Sequence, residues 1–244
     1  MIPEIEYDKK AFYATKIWQE KMKRKPSFRN RLSKRIQNRI NRWIPEKVHQ
    51  VITAAIKEMT KVMISGAGMI TPPPLQNVSL EKREEVALKR INFYQKTAAV
   101  EGAATGAGGI LLGLADFPLW LSIKMKMLLE IAASYGYDVK NSSERLYLMY
   151  IFQLSFSSQE NRNDVFFKLE EWQKIPGMTS DDLTTMDWRK FQQEYRDYID
   201  LAKLFQLVPG IGAVVGAYVN HSLTEKLGIT AMNAYRLRHF RSSQ

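Results

Sequence analysis

The chain has 244 residues, 45% hydrophobic and 25% charged, which suits one large domain or two small ones and excludes a disordered chain. It contains no cysteine, which excludes a disulfide framework, a thiolate metal site and a thiol nucleophile. The net charge of +11 is concentrated, because residues 21–43 hold ten Lys or Arg and no acid, leaving +1 for the rest.

The opening MIPEIEYDKK lacks the basic-then-apolar order of a secretory signal, so a cytoplasmic location is expected. Residues 4–24 set Phe12, Ile17, Trp18 and Met22 in a polar run at helical spacing. In the basic segment Phe28, Leu32, Ile36, Ile40 and Trp43 form one apolar stripe of a helix, with Arg29, Arg31, Lys34, Arg35, Arg39 and Arg42 around it. Pro45 suits the first turn of the next helix, which runs to about Ser65 with Val48, Val51, Ile52, Ala55, Ile56, Met59, Val62 and Met63 facing inward. The run TPPPLQN cannot continue a helix, because successive prolines remove donors and fix φ. The chain thus divides into a basic N-terminal segment (1–70), a Pro-rich linker (71–78) and a helical core (79–244).

Ser79 is the expected N-cap of a long helix whose early acids, Glu81, Glu84 and Glu85, sit at its positive end. That helix leads into VEGAATGAGGILLGLAD, residues 100–116, and Pro118 starts another. Residues 142–159 read as a buried helix, apolar on more than one side. Residues 160–200 are polar with aromatic anchors, and LFQLVPGIGAVVGAYVN (204–220) precedes a last helix ending in YRLRHFR. No segment alternates with period two, so the class is all-α: a multi-helix bundle with two glycine-spaced helices packed centrally and a basic amphipathic N-terminal helix.

Three readings of the glycines compete. A phosphate loop fails, because no Gly-Lys-Ser/Thr follows and the GxGxxG spacing is missed in both stretches. A membrane hairpin gains support from residues 204–224, which carry no formal charge. It is weakened by their polar residues, by the fourteen residues between Glu101 and Asp116, and by a mean hydropathy of −0.31. The third reading is close packing. Gly102, Gly106, Gly109 and Gly113 share one helical face, and Gly212 and Gly216 repeat the four-residue step, so a helix or an acyl chain can approach the backbone.

The residues from Gly102 to Gly109, Gly113 to Pro118, Glu130 to Asp138 and Val208 to Ala217, with Asn220, resemble the EcsC protein family over roughly residues 78–240. The resemblance implies a bacterial protein linked to an ABC transporter of the Ecs type and to secretion. It brings no catalytic residues with it.

His49, His221 and His239 lie in no metal-ligand spacing and no serine sits in a GxSxG elbow, so neither metal nor cofactor is expected. Glu101 and Asp116 are the best acid/base candidates, in apolar surroundings that raise a carboxylate's pKa. Against this, Asp116 before Phe-Pro suits an N-cap and Glu101 suits an ion pair. The basic helix reads as a membrane-surface element, a nucleic-acid contact or a solvated helix on its own core. Its form favours an anionic membrane surface or lipid, and no nucleic-acid motif accompanies it. The expectation is a non-enzymatic protein, peripheral at the inner face of the cell membrane. A small hydrolase using Glu101 and Asp116 and a soluble interaction module are the alternatives.

Overall fold

The computed structural model describes residues 2–24, 46–66, 68, 70–107, 117–157, 161–172 and 212–242. These residues form α1 (Ile2–Lys23), α2 (Glu46–Ser65), α3 (Leu80–Ala107), α4 (Phe117–Ser134), α5 (Ser142–Phe156), α6 (Arg162–Glu170) and α7 (Gly212–Ser242). The protein is all-α, with no strand among the described residues. The basic segment from Phe28 to Trp43, together with Gly109, Gly113 and Asp116, lies outside them.

Helix ends follow local chemistry. Ser79 precedes α3, and its Oγ accepts the Lys82 N–H at 3.3 Å, as an N-cap should. Asn141 precedes α5 and its Oδ1 accepts the Ser143 N–H at 3.0 Å. At the end of α2, Arg145 donates from Nε to the Met63 carbonyl at 2.6 Å. The same guanidinium holds the Val139 and Lys140 carbonyls, so one side chain joins a helix end to the α4–α5 turn. Helix α4 ends at Gly136, whose φ of +90° is left-handed. A Cβ there would meet the Leu75 carbonyl oxygen at 2.8 Å. The proline run is pinned to this turn, since the Leu75 N–H reaches the Ala133 carbonyl at 2.9 Å and Arg83 returns to the Leu75 carbonyl at 3.0 Å.

The two longest helices, α3 and α7, form an antiparallel hairpin. Glu84 meets Arg236 near one end, Ile91 meets Gly228, and Gly102 meets Gly216 near the other. Helix α4 lies along both: the Tyr94 hydroxyl donates to Glu130 at 2.8 Å, and Trp120 Nε1 donates to Asn220 Oδ1 at 2.9 Å. Of the fifteen residues of α5, thirteen are buried, which makes it a central helix rather than an amphipathic surface one. Its Tyr147 hydroxyl caps the Ala234 carbonyl of α7 at 2.8 Å. Helix α1 covers the Glu84 end, with Phe12 edge-on to Phe240 at 5.3 Å and Trp18 on Phe166 of α6 at the same distance. Helix α2 places Ile56, Met59 and Met63 against α4 and α5, so one core takes residues from both sides of the proline run. Val62, expected to face inward, is 40% exposed, because it lies at the rim of an open groove between α2 and α4.

Candidate functional site

The hairpin has two chemically different ends. At one, Gly102 of α3 lies against the backbone of Gly216 of α7, where an added Cβ would stand 2.7 Å from the Gly216 carbonyl carbon. That separation is below any real Cβ contact, so the absence of a side chain sets the helix spacing here. One turn further along α7, the buried Asn220 amide joins three helices. Its Nδ2 donates to Glu101 of α3 at 2.5 Å, and its Oδ1 accepts from Trp120 of α4. Lys124, one turn beyond Trp120, is fully buried, with Nζ 3.8 Å from the centre of the indole ring. Thr224 is also fully buried, and its hydroxyl donates to the Asn220 carbonyl at 2.7 Å.

Around this cluster the helices carry almost no charge. The last eleven residues of α3, 97–107, include only Glu101, whereas the first seventeen, 80–96, include eight charged residues. The first thirteen residues of α7, 212–224, include none. Val100, Val214 and Tyr218 stand 71%, 75% and 74% exposed on the outer sides of these helices.

The other end is built on buried carboxylates. Glu84, fully buried, takes both Nε (2.6 Å) and Nη2 of Arg236, and the hydroxyls of Tyr7 (2.6 Å) and Tyr135 (3.1 Å). Glu144 takes the Tyr235 hydroxyl at 2.5 Å and Arg238 at 2.6 Å, and the Arg238 guanidinium lies 3.9 Å from the Tyr137 ring centre. Burial pushes the hydroxyls of Tyr7, Tyr135 and Tyr235 above the ordinary phenol range, and the carboxylates beside them add to it. These groups interlock α1, α3, α5 and α7.

The glycines singled out in the sequence are thus placed as follows. Gly102 and Gly216 meet, Gly106 falls in the last turn of α3, and Gly212 opens α7. Glu101 is brought to Asn220, while its candidate partner Asp116 lies outside the described residues. Sequence reasoning missed Trp120 and Lys124 as members of the polar cluster, and Glu84 with Arg236. A signal was present: Glu84 shares the stripe of Leu80, Ala87 and Ile91, where a charge needs a partner. Among the described residues no group of three or more His, Cys, Asp or Glu could hold a metal, and no helix is long and apolar enough to cross a membrane.

The model of the EcsC protein family matches residues 9–240. The chain belongs to this family. It is 47% identical over 222 residues to protein EcsC of Bacillus subtilis (strain 168), covering 91% of each chain. It is also 31% identical over 189 residues to the uncharacterized protein YdbA of the same strain, covering 78% of this chain and 68% of YdbA. No solved structure matches. Among the described residues that carry the EcsC resemblance, Gly102, Gly216 and Asn220 fall at one end of the hairpin, and Tyr135 and Tyr137 at the other.

Proposed function

We propose that this EcsC family protein binds the surface of an anionic membrane, seating the uncharged end of the α3–α7 hairpin among the lipids of one leaflet. The observation that carries this reading is the lengthwise separation of charge along the hairpin. Residues 97–107 and 212–224 carry one formal charge between them, and Glu101 is occupied by Asn220. At 1.5 Å per residue that end is ~16–20 Å long. A hydrocarbon core of about 30 Å needs some twenty apolar residues, so these described stretches are long enough to reach into one leaflet. Exposed Val100, Val214 and Tyr218 supply the apolar contact, and a tyrosine suits the interface because its ring is apolar and its hydroxyl stays wet.

The basic residues 21–43 supply the long-range attraction, with each charge near an anionic leaflet contributing on the order of 1 kcal/mol. The natural location is the inner face of the cell membrane. The family resemblance adds an ABC transporter of the Ecs type as the protein partner there, and secretion as the process served.

Co-sedimentation with vesicles tests the lipid contact. The protein should sediment with phosphatidylglycerol-rich vesicles, less with phosphatidylcholine alone, and less again at high salt. Val214→Glu with Tyr218→Glu should weaken binding about tenfold while leaving far-UV helicity unchanged. Binding indifferent to lipid charge, to salt and to these substitutions would overturn this contact, and no sedimentation with either vesicle would point instead to a soluble interaction module.

A further inference from the structure

We infer that the groove between α2 and α4 seats one acyl chain of an anionic membrane lipid. The groove has a volume of about 730 Å³, within the range of sites that enclose small ligands. Its walls include Met59 and Met63 of α2 and Leu121, Met125 and Leu129 of α4. Methionine is unbranched and adaptable, so such a wall follows a flexible chain better than a rigid ring.

Two observations select the occupant. The first is continuity with the hairpin end. The groove starts at Pro118, two residues before Trp120, which is bonded to Asn220 at the uncharged end. Its Pro118 end therefore lies near the hairpin end proposed to enter the bilayer, and in this respect the inference rests on the membrane reading. The second is charge. Among the described residues lining the groove, the charged ones are Glu58, whose carboxylate is paired with Lys61 at 3.0 Å, and Lys126, which is the cation the groove offers to an anionic headgroup. Lys126 is exposed and stands eight residues along α4 from Pro118, ~12 Å at the helical rise. With the hairpin end in the leaflet, Lys126 stands at headgroup height and the chain runs down α4 towards Pro118. A lipid keeps its bilayer orientation in that pose.

The probe is palmitoyl lysophosphatidylglycerol below its micellar concentration, titrated calorimetrically into the full chain. One saturable site is expected, with binding about tenfold weaker for palmitoyl lysophosphatidylcholine and for Lys126→Glu. Ala55→Trp, which fills the groove, should abolish the site with helicity retained. If that variant does not fold, Lys126→Glu carries the test alone, because its side chain is exposed. Absent binding to the wild type, undiminished binding to folded Ala55→Trp, or equal binding by Lys126→Glu overturns the inference. Vesicle sedimentation without lysolipid binding removes the groove site and leaves the membrane reading. Lysolipid binding without sedimentation does the reverse.

Discussion

At Gly102 a single methyl group decides how far apart two helices lie. In an isolated helix, alanine is better than glycine by about 1 kcal/mol, because glycine loses more backbone freedom. Here the added Cβ would stand 2.7 Å from the Gly216 carbonyl carbon and 2.6 Å from Asn220 Nδ2. Backbone cannot rotate out of the way as a side chain can, and overpacking of this kind costs about 1–3 kcal/mol. With the propensity gain set against it, Gly102→Ala is expected to lower stability by up to about 2 kcal/mol, read as a lower urea midpoint at unchanged slope. A rise in midpoint would mean that the glycine serves flexibility and not approach. Asn220 shows the same economy of choice. Its amide donates to Glu101 and accepts from Trp120, a pair of roles that neither leucine nor an ionised aspartate can fill.

Between elements, the hairpin is held at its charged end by Glu84 and Arg236, 152 residues apart in the chain. Glu84 is fully buried and the Arg236 side chain 17% exposed, so each charge depends on the other for its solvation. Arg236→Met is expected to cost about 3–5 kcal/mol in urea unfolding, because it strands a buried carboxylate against two tyrosine hydroxyls. The double variant Glu84→Leu with Arg236→Met should recover most of that loss; additive losses would mean that the two side chains act separately. The helices themselves were legible in the sequence, since Ser79, the proline run, the 3.6-residue stripe of residues 46–65 and the all-round apolar run of residues 142–156 are local signals. The glycine spacing likewise pointed to close backbone approach. What could not be read was pairing. Nothing local says that Glu84 meets Arg236, or that Asn220 lies between Glu101 and Trp120, because those partners are joined only when the hairpin and α4 assemble. By its place near the start of α3 Glu84 reads as a complement to the helix dipole, and burial makes it an ion-pair centre instead.

The whole molecule is polarised along the hairpin, and the charged end gives it a pH limit. Tyr7, Tyr94, Tyr135, Tyr137, Tyr147 and Tyr235 all have hydroxyls raised above the ordinary phenol value, first through burial. For Tyr7, Tyr94, Tyr135 and Tyr235 a hydrogen-bonded carboxylate adds to the shift, since ionising the phenol would set two anions against each other. In the unfolded chain these groups lose their protons near pH 10. Above that value the unfolded state binds fewer protons than the folded one, so stability falls as the pH rises. The contribution is complete below about pH 10 and is lost as the pH climbs towards the raised folded values. Far-UV helicity should therefore be lost in one cooperative step above about pH 10, together with ionisation of these six tyrosines. Ionisation of all six with helicity intact would contradict the network, whereas the exposed Tyr13 and Tyr218 lie outside it. Because Tyr7 is the hydroxyl that joins α1 to Glu84, Tyr7→Phe should bring that step to lower pH. The lipid contact proposed for Val214 and Tyr218 at the far end should not change at neutral pH, where the phenols of the network are protonated in both states.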